Sequence, residues 1–252
     1  MKKNVFSIIS VLVLAGMVLA ACAPAAATGK VVRVATDATW PPFEVVDESS
    51  KKIIGLDIDL LDAIAAKSGF TVEYVNVAFD PLLAGISQCQ YDAAISSITI
   101  TDERKQTMLF SDPYYDAGQV VTIKKSDANI KGKDDLVGKS IGAQLGTTGA
   151  IEAANIKDAT VKTYDSIDLA YQDLINGQVD AVIADYPLAL GFVGKNKDTL
   201  ATAGEVFTSE KYGIAICNKN TELQASINKG LAAVKADGLI EKLTEKWVLA
   251  AE

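Results

Sequence analysis

Histidine is absent from this chain of 252 residues, and cysteine and arginine are scarce. The absence of histidine excludes Ser-His-Asp and Cys-His catalysis and every histidine-ligated metal site. Cysteine occurs three times, at positions too far apart in sequence to suggest a zinc site. Proline, at 6 residues, and glycine, at 18, are ordinary for a globular protein. We therefore expect a globular protein with no metal and no cofactor.

The charge balance is acidic, with 24 lysine and arginine residues against 32 aspartate and glutamate residues. Proteins that bind nucleic acid rely on basic patches against the phosphates, so a nucleic-acid partner is not expected. Hydrophobic residues make up 49% of the chain, which is enough for one large domain or two small ones. Loss of an N-terminal segment containing Lys2 and Lys3 would make the chain still more acidic.

The first 22 residues have the pattern of an export signal. Lys2 and Lys3 precede an apolar run that extends from Val5 to Ala21, which is short for a membrane span. The order Leu19-Ala20-Ala21-Cys22 resembles the lipobox of bacterial lipoproteins, in which the cysteine is diacylated. We predict a signal peptide at 1–21, a lipidated Cys22, and a flexible tether over 22–30. An uncleaved single-span anchor is the alternative.

Two further cysteines, Cys89 and Cys217, lie far apart in sequence. In an exported protein they could form a disulfide or stay buried as free thiols, and the spacing does not decide between these.

Strand and helix patterns alternate along the rest of the chain in two successive units. Each unit begins with short runs of branched apolar residues separated by segments with helical periodicity. The predicted strands are 31–35, 71–77, 93–98, 120–123, 140–143, 181–184 and 212–216. The predicted helices start at 57, 81, 147, 166 and about 239. The sequence therefore predicts an α/β protein of two lobes, each a sheet covered by helices.

In sheets of this kind, ligands collect beyond the carboxyl ends of the strands. That rule selects Asp37, the segment 96–99, the segment 144–148 and Asp185 as candidate binding residues. Taken singly, each also fits an ordinary turn or cap.

Arg104 stands out because lysine is plentiful while Arg33 is the only other arginine. Arginine offers a rigid fork of donors that suits a carboxylate, whereas lysine serves well as a solvated surface charge. Thr101 could cap a helix beginning here, with the two acids favouring its dipole. The turn Gly146-Thr147-Thr148-Gly149 leads into a helix and could offer backbone N–H groups to an anion, which alone is a weak signal.

The run Ser96-Ser97-Ile98-Thr99-Ile100-Thr101-Asp102-Glu103-Arg104, followed by Phe110-Ser111-Asp112-Pro113-Tyr114-Tyr115, resembles the family-3 extracellular solute-binding proteins of polar amino acid ABC importers. The run Gly55-Leu56-Asp57-Ile58-Asp59-Leu60 and the turn Gly146-Thr147-Thr148 also look like that family. The similarity extends from Val31 to about Trp247. It implies the two-lobed type II periplasmic-binding-protein fold, with a hinge between lobes. The implied bounds are 31–116 plus 210–252 for one lobe and 117–209 for the other.

The resemblance also implies roles for ten residues around a bound amino acid. Arg104 would bind the α-carboxylate together with backbone N–H and hydroxyl donors of the Thr148 turn in the other lobe. Asp185, with oxygens at Ser97 and Thr99, would bind the α-ammonium. Trp40 and Phe79 would sandwich the ligand side chain, Asp37 and Ser96 would face its polar end, and Gln144 would line the same region.

Among these residues Arg104 contributes one positive charge while Asp37 and Asp185 contribute two negative charges. A ligand with a net positive charge neutralises the site, so we expect a basic amino acid, arginine before lysine, with glutamine as the alternative. The implied protein is an exported, monomeric lipoprotein on the bacterial cell envelope that delivers its ligand to the membrane permease subunits. An exported enzyme such as a cyclohexadienyl dehydratase and a receptor sensing module are the rival classes.

Overall fold

The computed structural model of the protein describes residues 30–249. The predicted signal peptide, Cys22 and all of the predicted tether except Lys30 lie outside the described residues. Across residues 30–249, no helix combines the length and the apolar character that crossing a bilayer requires.

Helices and strands alternate along the chain between residues 30 and 249, as the sequence predicts. The strands are β1 (Val31–Thr36), β2 (Thr39–Trp40), β3 (Glu44–Val46), β4 (Ile53–Ile54), β5 (Thr71–Asn76), β6 (Ala93–Ala94), β7 (Met108–Phe110), β8 (Tyr115–Ala117), β9 (Gln119–Lys124), β10 (Ser140–Gln144), β11 (Thr160–Tyr164), β12 (Ala181–Asp185), β13 (Leu200–Ala203), β14 (Glu210–Tyr212) and β15 (Ala215–Cys217). The helices are α1 (Leu56–Ser68), α2 (Phe79–Ser87), α3 (Thr148–Ala154), α4 (Ile167–Asn176), α5 (Tyr186–Lys195), α6 (Thr221–Ala236) and α7 (Leu239–Trp247).

Two five-stranded sheets form the framework. The first has the order β5-β1-β6-β15-β7 and the second β11-β10-β12-β9-β13. In each, the three strands that begin the order run parallel and the other two include antiparallel pairings. We call each sheet with its helices a lobe, the first and the second. The lobe bounds inferred from the sequence stay a prediction.

Each sheet is buried on both faces by apolar side chains. In the first lobe, α1, α6 and α7 cover one face and α2 covers the other. In the second lobe, α4 and α5 cover one face and α3 lies on the other. A fully buried leucine or isoleucine contributes about 1.5–3 kcal/mol, so these four clusters account for most of the driving force. Trp40 lies in β2, shortly after the first strand of the first sheet, yet it packs into the core of the second lobe.

Helix α1 illustrates how the local sequence sets an element. Leu56, Leu60 and Ile64 recur every four residues and are fully buried. The helix ends at Gly69, whose φ of 76° is the left-handed conformation that favours glycine. At its start, a Cβ on Gly55 would stand 2.0 Å from the carbonyl oxygen of Phe43. Glycine at position 55 therefore lets α1 approach the segment that carries Glu44.

Three predicted elements were wrong in extent. The strand predicted over 93–98 ends at Ala94, because the chain turns and Ser97 takes a φ of 48°. The strand predicted over 212–216 is divided between β14 and β15, which belong to different sheets. The helix predicted near Thr101 is only a 3-10 turn, Arg104–Gln106, although the Thr101 hydroxyl does accept from the Arg104 amide at 3.1 Å.

The lobes are connected at a two-stranded ribbon in which β8 pairs antiparallel with β14. A bridge between Thr99 and Tyr212 adds the segment that follows β6 to this crossing. Cys89 and Cys217 form a disulfide within the first lobe, which settles the choice that the sequence leaves open.

Candidate functional site

The predicted binding residues lie at strand ends and helix starts that face each other across the two lobes. Asp37 directly follows β1, Gln144 ends β10 and Asp185 ends β12. Thr148 is the first residue of α3, while Arg104 opens the 3-10 turn beyond β6. The carboxyl ends of the central strands of both sheets therefore meet at one cleft, where the rule for open α/β sheets expects a ligand.

Hydrogen bonds cross this cleft at two points. The amide nitrogen of Gln144 donates to Asp37 Oδ2 at 2.7 Å, and the Trp40 indole N–H donates to Gln144 Oε1. Arg104 Nη2 donates to the carbonyl oxygen of Gly146 at 2.9 Å, while its Nη1 donates to the carbonyl oxygen of Thr99 at 2.7 Å. Side chains of each lobe thus bind the other lobe directly.

Arg104 lies between these contacts with donors to spare. A guanidinium has five N–H groups, and two of them make the bonds to main-chain carbonyls. Its carbon stands 5.5 Å from the centroid of the Phe79 ring, a cation–π distance. Burial lowers the pKa of Arg104, whereas the negative charges of Asp185 and Glu210 raise it.

Asp185 is the least satisfied acid in the cleft. It is 2% exposed, and its Oδ1 has no hydrogen-bond partner among residues 30–249. Burial and the negative charge of Glu210 raise its pKa to about 7, against the lowering effects of Gln119, Tyr212 and Arg104. A buried oxygen without a donor costs about 1–3 kcal/mol, so Asp185 is poised to accept from a cationic donor.

Ser97 presents a second unpaired oxygen. Its Oγ is buried without a partner in the described part of the chain, and its backbone is held at a φ of 48°. The Ser97 amide donates to Asp57 Oδ2 at 2.9 Å. The conformation of Ser97 is thus fixed from behind while its hydroxyl stays uncommitted.

Asp37 and Ser96 are joined to each other. The Asp37 amide donates to Ser96 Oγ at 3.0 Å, and the Ser96 hydroxyl donates to Glu44 Oε1 at 2.9 Å. Burial raises the pKa of Asp37, while hydrogen bonds from Gln144, Thr39 and the Phe79 amide lower it. Because both lone-pair and proton functions of the Ser96 hydroxyl are used internally, Ser96 acts here as a support for Asp37.

Trp40 and Phe79 stack directly on each other, with ring centroids 6.0 Å apart and planes inclined by 22°. A group sandwiched between two rings needs about 3.5 Å on each side, or about 7 Å in total. The predicted sandwich therefore requires the rings to separate by about an ångström.

Behind Ser96 and Ser97 lies a pair of fully buried acids, Glu44 and Asp57. Tyr114 donates to Asp57 Oδ2 at 2.8 Å. Glu44 Oε2 and Asp57 Oδ1 accept no hydrogen bond from any described donor, and the two carboxyl groups interact with each other. Burial raises the pKa of Glu44 well above its usual range and that of Asp57 to about 6. Because both pKa values are raised and the two carboxyl groups interact, we infer that the pair shares one proton.

Two grooves open onto the cleft. One, of about 550 Å³, reaches Arg104 and the Gly146–Thr148 turn. The other, of about 850 Å³, reaches Thr99, Thr148 and Glu210. Solvent therefore approaches the guanidinium and the crossing strands from two sides.

The model of the bacterial extracellular solute-binding proteins of family 3 matches residues 32–250. The chain belongs to this family. The fold is accordingly the two-lobed type II periplasmic-binding-protein fold that the sequence predicts.

Curated relatives match over nearly the whole chain. The L-cystine-binding protein TcyJ of Escherichia coli K12 is 32% identical over 98% of this chain and 95% of its own length. The ABC transporter arginine-binding protein 1 of the same strain is 36% identical over 94% of this chain and 98% of its own length.

Among solved structures, an ancestral arginine-binding protein bound to arginine has a TM-score of 0.82 and 42% identity. The match covers 86% of this chain and 97% of that one. All three proteins are named for the amino acid that they bind.

Sequence reasoning missed four polar residues that organise the cleft, three of them buried and Glu210 half-buried. They are Glu44, Asp57, Gln119 and Glu210, and each contacts a predicted ligand residue or another of the four. None of them lies at the carboxyl end of a parallel strand, where the rule for ligand sites applies. Asp57 stood inside the Gly55–Leu60 run that resembles the family, which was the available signal for it. Glu210 had none, because three of its four partners, Thr99, Gln119 and Thr148, come from distant segments.

Proposed function

We propose that this protein is the extracytoplasmic substrate-binding lipoprotein of an amino acid ABC importer. It binds a basic amino acid, arginine before lysine, by closure of its two lobes. Its partners are the free L-amino acid, the membrane permease subunits, and the membrane itself through the lipid on Cys22, and it works as a monomer. The observation that carries the proposal is the opposition, in one cleft, of a half-buried arginine with spare donors and a buried aspartate whose Oδ1 has no hydrogen-bond partner among residues 30–249.

The two constant ends of an amino acid match these groups. The α-carboxylate suits the remaining donors of Arg104 and the start of α3 at Thr148. The α-ammonium suits Asp185 Oδ1 and Ser97 Oγ, which are buried and unpaired among the described residues. Removing one partner from a buried charge pair costs about 3–5 kcal/mol, so a zwitterion fits this cleft far better than a molecule that lacks either charge.

The side chain is addressed by Asp37 with the Trp40 and Phe79 rings. A cationic side chain neutralises Asp37 and gains about 0.5–2 kcal/mol from the ring faces. Gln144 already donates to Asp37, so the ligand cation shares or replaces that bond. The acids of the cleft outnumber Arg104, which also favours a ligand of net positive charge.

Calorimetric titration of the mature protein with arginine, lysine, histidine, glutamine and cystine tests the assignment. We expect the tightest binding for arginine, and X-ray scattering should record a smaller radius of gyration at saturating arginine. Tight glutamine or cystine binding with no arginine heat would remove the basic-ligand claim. An unchanged scattering profile would argue for a rigid binder.

Glutamine is the second candidate, because an ancestral arginine-binding protein bound to glutamine is 43% identical, with a TM-score of 0.79. An enzyme of the dehydratase class is the third. The ancestral amino acid-binding protein AncCDT-1, described as a precursor of cyclohexadienyl dehydratase, is 35% identical, with a TM-score of 0.80. Loss of prephenate or arogenate on incubation with the protein would revive the enzyme reading.

Lipid anchoring is tested in the full-length protein expressed in a bacterium. We expect the wild type in the membrane fraction and Cys22→Ser released from it. Equal membrane content of both would point to the uncleaved anchor.

A further inference from the structure

Glu210 lies in β14, where the chain crosses between lobes, and its carboxylate accepts four hydrogen bonds. Oε2 accepts from Thr99 Oγ1 at 2.7 Å and from Thr148 Oγ1 at 2.8 Å. Oε1 accepts from Gln119 Nε2 at 3.1 Å and from Thr208 Oγ1 at 2.9 Å. Thr99 belongs to the first lobe and Thr148 to the second, so a single oxygen is shared by the two lobes.

These bonds fix the direction of the threonine hydroxyl groups. An ionised carboxylate only accepts, and a hydroxyl carries one hydrogen, so Thr99 and Thr148 both direct that hydrogen at Glu210. Thr148 Oγ1 also accepts from Gln119 Nε2 at 3.0 Å. Neither hydroxyl retains a hydrogen for a ligand, and both can offer only lone pairs to one. This differs from the resemblance, which implied a hydroxyl donor to the α-carboxylate at Thr148.

Glu210 also adds a negative charge to the cleft. Its field acts on both principal charged groups, since it raises the pKa of Asp185 and that of Arg104. With Asp37, Asp185 and Glu210 opposing Arg104, the cleft has an excess of negative charge that is larger than the sequence suggested. At an effective dielectric of about 20, a charge about 10 Å away still changes affinity by roughly tenfold.

We propose that Glu210 is a positioning and specificity residue, which turns the Thr99 and Thr148 hydroxyls into acceptors and biases the cleft towards cationic ligand groups. The inference deepens the proposed function and rests on it. Through Glu210, recognition becomes asymmetric: the ammonium and side-chain cation are served by many acceptors, while the α-carboxylate depends on Arg104 and main-chain N–H groups.

The substitution Glu210→Gln keeps the shape, removes the charge and introduces two hydrogens that compete with the threonine donors. Glu205→Gln, at an exposed position of the second lobe, makes the same charge change away from the cleft. Titrations with arginine and glutamine should find the arginine-to-glutamine affinity ratio of Glu210→Gln lowered by about fivefold or more. Glu205→Gln should keep the wild-type ratio.

A purely structural role would weaken both ligands equally, and an unchanged ratio in Glu210→Gln would overturn the inference. If circular dichroism finds that variant unfolded, the wild type itself decides with two arginine analogues. Agmatine lacks the α-carboxylate, and 5-guanidinopentanoate lacks the α-ammonium. We expect loss of the ammonium to weaken binding at least about tenfold more than loss of the carboxylate. The opposite order, or equal losses, contradicts the proposal.

The two failures are distinguishable. A wild-type protein that binds none of the amino acids refutes the proposed function. A wild-type protein that binds arginine, with the ratio unmoved in Glu210→Gln, refutes only the role of Glu210.

Discussion

Two clusters of buried acids lie within the same protein and differ in how they are satisfied. Glu44 and Asp57 accept from Ser96, Ser97 and Tyr114, and their two remaining oxygens interact with each other, as a proton shared by the pair would explain. Asp185, in the cleft, keeps an oxygen without a donor among residues 30–249. With a proton shared between them, Glu44 and Asp57 need no donor from another molecule. A cationic ligand group would give Asp185 Oδ1 the donor that it lacks among residues 30–249.

The difference separates the supporting acids, Glu44 and Asp57, from Asp185, the acid that lies in the cleft beside Arg104. Buried polar groups in a native fold are almost always hydrogen-bonded, so an exception points to a strained or functional position. Glu44 accepts from the Ser96 hydroxyl and Asp57 from the Ser97 backbone amide, so the pair shapes the cleft from behind these two serines. In the proposed function, Asp185 and Arg104 are the groups that the ligand itself satisfies.

The largest effect is expected from Arg104→Ala. It leaves the α-carboxylate without its charged partner and also removes the guanidinium bonds to the carbonyl oxygens of Thr99 and Gly146, so affinity for arginine should fall by about 100-fold to 1000-fold. Arg33→Ala is the matched control, because Arg33 is half-exposed on β1 and its ion pair with Glu73 is long, at 3.9 Å. Calorimetry checks both variants. Unchanged arginine affinity in Arg104→Ala would mean that Arg104 does not bind the ligand, and the contrast between the cleft and the Glu44–Asp57 pair would be wrong.

The next effect is a pH dependence that only the cleft should show. The pKa of Asp185 is raised to about 7, so the carboxylate becomes protonated as pH falls below that value. An α-ammonium binds the ionised form, and affinity should therefore fall about twentyfold between pH 7.5 and pH 5.5. The groups acting on Asp185 are Glu210, which raises its pKa, and Gln119, Tyr212 and Arg104, which lower it.

Asp185→Asn should bind weakly and with no such slope, while Asp198→Asn, at an exposed position, should follow the wild type. Titration at four pH values across that range measures the slopes. A wild-type affinity that stays level from pH 7.5 to pH 5.5 would mean that another group receives the ammonium.

The order of elements followed from the sequence because it depends on local patterns. Period-two and period-3.6 runs placed β1, β5, β10, α1 and α4 within a few residues. The predicted strand at 93–98 was too long, since Ser97 has a positive φ and its backbone amide donates a hydrogen bond to Asp57, 40 positions away. Apolar composition alone gives no sign of such a bond.

The site divides in the same way. Asp37, Gln144 and Asp185 could be selected from the rule that ligands collect at strand ends. Glu210 and Glu44 could not, because their roles arise from donors brought together by the crossing and by the close approach at Gly55. The ligand sandwich between Trp40 and Phe79 also stays a prediction. The rings stand 6.0 Å apart, and this distance depends on packing that the sequence does not reveal.

A smaller effect is expected at the closed cluster, and it should appear in stability. Glu44→Gln places an amide N–H where the shared proton lies, so the free energy of unfolding at pH 7 should stay within about 1 kcal/mol of the wild type. Glu44→Ala strands the Ser96 hydroxyl and Asp57 Oδ1, and it should cost about 2–3 kcal/mol.

The pair also predicts a pH trend with a definite sign. The folded-state pKa values of Glu44 and Asp57 are raised, so the wild type loses stability as pH rises through them. Glu44→Gln should lose less between pH 6 and pH 9, and the exposed Glu48→Gln should match the wild type. Urea unfolding at both pH values provides the comparison. Parallel losses in all three proteins would mean that the acids do not share a proton.

The smallest effect comes from Tyr114→Phe, which removes one of the donors to Asp57 Oδ2. The Ser97 amide still donates to that oxygen, so the cost should be about 1–1.5 kcal/mol in urea unfolding. Tyr74→Phe is the control, because the Tyr74 hydroxyl donates at 2.9 Å to Asp62, a more exposed acid, and its loss should cost less than about 0.5 kcal/mol. Arginine affinity should change less than threefold in both variants, because a self-satisfied cluster passes on only its shape. A binding loss in Tyr114→Phe as large as that in Asp185→Asn would show that the two acidic clusters work as one.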